Sequence, residues 1–188
     1  MISAGLGNAK IAKCLVERGA NLDICNNRFA SIHTATTCNA ADVVRVLVDA
    51  GADVSTGDAA GRTPLMMACS LDTNLINKRR HIVSLLLQAG ADCTARDTDG
   101  VTALHSAASG GDPRVIDLLL SKAPSTLNQT SYDGMTPLYV AAQFGHTHVL
   151  EHLLSAGSNN KAAIGQQACP LRVAMDQGHD DAVRVLLT

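Results

Sequence analysis

Large rings are nearly missing from this chain: its 188 residues include two Tyr, two Phe and no Trp, although 46% of them are hydrophobic. A core built around stacked aromatics is therefore excluded. Leu, Val, Ile and Ala must form the interior instead, which suits thin layers of closely approaching helices. No apolar run approaches the roughly 20 residues needed to cross a bilayer, so membrane insertion is not expected. Met1 is followed by no basic segment and apolar stretch of the secretory kind. A formal charge of −2 gives no electrostatic reason to expect nucleic acid as a partner. The six cysteines form no CxxC pair, so a zinc site of the usual spacing is not expected. Free thiols point to a reducing compartment, hence an intracellular protein of cytoplasm or nucleus. There is no Gly-rich phosphate loop followed by Lys, and no Ser, Cys or Lys in a context that marks a nucleophile. Neither an enzyme nor a cofactor is expected.

One stretch, Tyr132 to Gly157, is repeated in better or worse copies along the rest of the chain. Asp133-Gly134 reads as a turn, because Gly takes positive φ without steric cost. Thr136-Pro137 reads as a helix start, a hydroxyl cap followed by Pro at the first helical position. Leu138, Ala141 and Ala142 form a small-residue face, and Gly145 ends that helix. Val149, Leu150, Leu153 and Leu154 then form the apolar stripe of a second helix, closed by Gly157.

The copies are nearly periodic. Ala30-Ser31-Ile32-His33, Thr63-Pro64-Leu65-Met66, Thr102-Ala103-Leu104-His105, Thr136-Pro137-Leu138-Tyr139 and Cys169-Pro170-Leu171-Arg172 are versions of one tetrapeptide, spaced by 33, 39, 34 and 33 residues. Gly19-Ala20-Asn21, Gly51-Ala52-Asp53, Gly90-Ala91-Asp92 and Gly157-Ser158-Asn159 recur in phase. This pattern resembles the ankyrin repeat family over essentially the whole chain. The resemblance implies an all-α solenoid of paired antiparallel helices with β-turn or hairpin tips. It also implies a non-catalytic protein–protein interaction module, an adaptor or scaffold. A recognition segment of a larger enzyme or channel is the alternative.

In this register a single domain, 1–188, comprises a partial repeat at 1–24, repeats at 25–57, 58–96, 97–130 and 131–163, and a partial repeat at 164–188. Both ends fall inside a repeat, so a fragment of a longer array is expected. Asn39 replaces an interhelix Gly, which its tolerance of left-handed backbone permits. Six extra residues around Asp72 to Arg80 either lengthen the first helix or enlarge a loop. The basic run Lys78-Arg79-Arg80 within them reads as a solvated loop or a docking patch. Pro124 should stop the second helix of its repeat.

His146, His148 and His152 could suggest a metal, but the family pattern and outward positions account for them better. The resemblance implies that His33 and His105 tie neighbouring turns by hydrogen bonds. It also implies a partner, another protein or a peptide, lying along a concave groove of turn tips and first-helix ends. The residues carried onto that groove are Phe29, Arg62, Leu71, Asp99, Tyr132, Asp133, Met135, Gln143 and Phe144. Three of the four aromatics fall there, and rings kept where the core has no use for them are candidate anchors. Arg62 and Asp99 are expected to flank them with opposite charges.

Overall fold

The computed structural model describes residues 7–22, 30–70, 76–159 and 169–188; expectations that fall on Phe29, Leu71 and the turn at 164–168 lie outside them. The described residues are α-helical, without a strand among them. Clustered contacts divide the chain into two units, Met1–Thr98 and Asp99–Thr188.

The first unit contains α1 (Ala9–Glu17), α2 (Ser31–Thr37), α3 (Ala41–Asp49), α4 (Pro64–Ser70) and α5 (Ile76–Gln88). Here α2 packs on α3 and α4, while α1, α3 and α5 lie side by side. The second unit contains α6 (Ala103–Gly110), α7 (Pro113–Lys122), α8 (Pro137–Gln143), α9 (Thr147–Ser155), α10 (Pro170–Asp176) and α11 (Asp180–Leu187), with a 3₁₀ turn at Pro124–Thr126. Its short helices α6, α8 and α10 form one row, and α7, α9 and α11, eight to ten residues long, form another.

Small residues allow the close approach within the short row. Ala107, Ala108, Ala141, Ala142 and Ala174 are fully buried, and Leu104 and Leu138 fill the space beside them. In the second row Val115, Ile116, Leu119, Val149, Leu150 and Leu153 are fully buried. The fourth stripe position is weaker than its spacing predicts. Leu87 and Leu154 are only half-buried, and in α5 Leu85 turns inward instead.

Local signals act where they stand. The Thr136 hydroxyl accepts from the Tyr139 N–H at 3.1 Å, with Pro137 next in the first turn. Asp112 caps α7 through the Arg114 N–H at 3.1 Å. α7 stops at Lys122, and Pro124 begins the 3₁₀ turn. Asn39 takes φ +55°, as its place in the pattern requires.

The inserted segment departs from the sequence reading in one respect. The second helix of that repeat, α5, runs 13 residues against nine in α3 and α9, which takes up four of the six extra residues; 71–75 lie outside the described residues. The basic run is therefore not a loop. Successive helical residues point about 100° apart, so three in a row cannot share one surface. Lys78 is exposed, Arg80 half-buried and Arg79 buried.

The first unit also stores an acid sensitivity. Burial holds His33 below the ordinary imidazole value of 6.5, although the Arg62 backbone and the Asp58 charge pull the other way. Its Nδ1 accepts from the Ala30 N–H, which the neutral ring can do. Asp53 and Asp92 lie below 3.8, held there first by hydrogen bonds from Thr56 and Thr94. Burial pushes Asp58 up, but the Arg62 side chain and the Arg62 and Ala60 N–H groups leave it lowered on balance. A lowered folded-state pKa means that the unfolded chain binds protons first. The stability from His33 is thus present above 6.5 and lost as pH falls below it, and that from the aspartates is lost only below 3.8. Thermal unfolding followed by circular dichroism should show both stages, and His33→Gln should flatten the first alone.

Candidate functional site

Two of the turn tips are closed by their first residue. The Asp58 N–H donates to the Arg62 carbonyl and the Ser131 N–H to the Met135 carbonyl, at 2.9 and 2.8 Å. Gly61 and Gly134 hold the bend at φ +75° and +78°. The first residue's side chain completes the turn: Asp58 Oδ1 accepts from the Ala60 and Arg62 N–H groups, and Ser131 Oγ accepts from the Met135 N–H. Consecutive tips are joined through the backbone, Thr98 N–H to Ala60 carbonyl in the first unit and Tyr132 N–H to Asp99 carbonyl in the second, both 2.9 Å.

Two kinds of histidine fasten the second unit. His105 donates from Nε2 to the Met135 carbonyl at 3.0 Å, while its Nδ1 accepts from the Thr102 N–H at 3.2 Å. The carbonyl partner assigns the proton to Nε2. This is the tie between turns that the resemblance implies. His146 and His179 bind in the other direction, donating to the Ser109 and Gln143 carbonyls at 2.8 and 3.0 Å. Those carbonyls stand at the ends of α6 and α8, where the helix offers them no partner of its own. The sequence pattern placed His146 in register but carried no sign of this bond.

Tyr132 and Phe144 are held without being buried. The Tyr132 ring lies close against Gly100, where an added Cβ would stand 2.9 Å from Cδ1. It is nevertheless 71% exposed. Phe144 follows the last turn of α8, stacks on the His146 ring at 6.1 Å between centroids and 17° between planes, and is 52% exposed. Each ring does rest on its neighbour, yet keeps most of its surface for something else.

The other expected residues separate. Asp99 and Asp133 are exposed on adjoining tips of the second unit. Met135 and Gln143 are half-buried, and each gives its carbonyl to a histidine. Arg62 belongs to the first unit and folds back on its own tip, with Nη2 at 2.7 Å and Nε at 3.0 Å from Asp58 Oδ2. On α9, His148 turns to Glu151 and His152 to Asp117 on α7, at 3.3 and 3.1 Å. Among the described residues no three His, Cys, Asp or Glu side chains converge as metal ligands would. The five described cysteines carry free thiols, and burial pushes that of Cys69 far up. No described helix is long and apolar enough to cross a membrane.

Pairs of helices joined by tight turns, stacked at a near-constant period and tied by tip and histidine bonds, define an α-helical repeat protein. The family model for ankyrin repeats (3 copies) matches residues 1–58, 54–130, 74–164 and 104–188, so the chain belongs to the ankyrin repeat family and has its all-α solenoid fold. No curated protein matches the chain. Ankyrin repeats generally serve as protein–protein interaction modules, and the family is typically non-catalytic.

Proposed function

We propose that this chain is an intracellular adaptor or scaffold module, with the repeat register 25–57, 58–96, 97–130 and 131–163, that takes a protein or peptide partner on the tip and first-helix side of its second unit. The observation that carries this reading is the treatment of the rings. In a chain with four aromatics, Tyr132 and Phe144 are 71% and 52% exposed although each is seated on a neighbour that fixes its position. A ring held still in water has already given up the freedom that binding would remove, which favours an anchor. Asp99, Asp133 and Gln143 supply polar groups beside them.

Affinity capture from cell extract with the full chain supplies a partner for measurement. Tyr132→Ala and Phe144→Ala should each weaken that partner by about 2 kcal/mol or more, the usual size for an anchor. Folding should stay within about 1 kcal/mol, since both rings are exposed. His148→Ala and His152→Ala, on α9, should leave binding unchanged. Isothermal titration calorimetry beside thermal unfolding separates the two effects. Wild-type affinity in both ring variants, with loss in the α9 variants, would place the site on the second-helix row.

A further inference from the structure

The two rings have different surroundings, and the difference points to the chemistry of the partner. We infer that the Tyr132 tip receives a basic side chain, a guanidinium or ammonium group on an extended segment of the partner, while Phe144 receives an apolar one. This inference rests on the reading of that face as the binding face.

Three observations carry it. The Tyr132 ring packs beside Gly100 and is 71% exposed, so an aromatic surface is presented to solvent. Such a surface attracts a cation through the negative face of the ring. The exposed carboxylates of Asp133 and Asp99 adjoin it, one on the next residue and one on the residue whose carbonyl binds the Tyr132 N–H. The tips 97–101 and 131–135 contain no Lys or Arg; exposed Arg96 directly precedes the first, whereas no cationic residue adjoins Asp133 in the chain. Within the second unit the described cationic residues stand instead on helices, and Arg172 and Arg184 are paired there with Asp176 and Asp181. Charge complementarity therefore selects a basic group at the tip.

Phe144 has no carboxylate beside it in the chain, where residues 143–146 read Gln-Phe-Gly-His. It stacks on the His146 imidazole and follows the neutral Gln143, so an aliphatic or aromatic side chain suits it better. The seven residues of α8 separate the tip from Phe144. At about 1.5 Å per helical residue that is about 10 Å, or roughly three residues of extended chain. The recognised segment then carries its basic residue at least about three positions from its apolar one.

A random peptide library displayed on phage, panned against the full chain and counter-selected on the Tyr132→Ala/Phe144→Ala variant, tests this. Enriched sequences should carry Arg or Lys together with a large apolar residue. In a synthetic peptide of the most enriched sequence, replacing Arg by citrulline, or Lys by norleucine, should weaken binding about tenfold. Asp133→Asn should weaken it several-fold and flatten its salt dependence. Ring-dependent enrichment of neutral or acidic peptides would overturn the basic-partner inference and leave the binding face intact. Basic peptides that bind Asp133→Asn and Tyr132→Ala as well as wild type would also overturn it. No enrichment on wild type over the ring variant would instead overturn the binding face, and this inference with it.

Discussion

Leu153→Ala is expected to lower the unfolding free energy by about 2–5 kcal/mol, the range for a large residue cut back in a rigid core. Leu153 is fully buried on α9, a helix that packs on α7, α8 and α11 together. Neighbours held on three sides cannot collapse into the space, so lost transfer energy and the cavity add. Thr136→Ala makes the comparison. It removes the one hydroxyl that accepts from the Tyr139 N–H, and losing a cap costs about 1 kcal/mol. Urea unfolding of both variants would decide the order. A cap variant more damaging than the core variant would mean that α9 does not bury the stripe described above.

Gly145→Ala is expected to be nearly as severe, about 3 kcal/mol, for two separable reasons. The first is backbone: Gly145 has φ +69°, where a Cβ costs roughly 1–2 kcal/mol. The second is contact. A Cβ at Gly145 would stand 2.7 Å from Cγ and Nδ1 of His179, so the ring must move off the Gln143 carbonyl. Displacing it gives up a hydrogen bond worth about 0.5–1.5 kcal/mol, plus packing. Gly157→Ala isolates the first reason, because Gly157 has φ +92° and nothing within 4 Å of an added Cβ. The excess cost of Gly145→Ala over Gly157→Ala is the contribution of the lock between repeats. Equal costs in denaturant unfolding would show that the His179 tie contributes nothing.

Much of the fold was legible because the repeat's signals are short-range. Thr136-Pro137 begins a helix through groups three residues apart, and Asn39 can hold φ +55° through its own short polar side chain. Asp58 opens its turn, and its carboxylate organises the tip by accepting two backbone N–H groups two and four residues on. The insertion was harder. A count of extra residues places them between two motifs but does not say which element absorbs them; the structure gives four of them to α5, which packs on α3 and α4.

The candidate site divides the same way. That Tyr132 and Phe144 stand at a tip and at a helix end follows from register, because each position sits at a set distance from the nearest turn. That Arg62 is bound to Asp58, or that Met135 and Gln143 serve through their carbonyls, does not follow. A side chain's choice between solvent and a neighbour depends on what the next repeat places there.

The sequence by itself determined the unit: turn, short helix, turn, longer helix, with caps and left-handed residues set by neighbours along the chain. Only the tertiary structure decided how repeats lock and what they leave exposed. His105, His146 and His179 reach carbonyls 30, 37 and 36 residues away, and the acceptors are backbone groups that every residue type possesses. Nothing in the identity of Ser109 or Gln143 marks it as an acceptor; it becomes one because a helix ends there and stacking brings the next imidazole within reach.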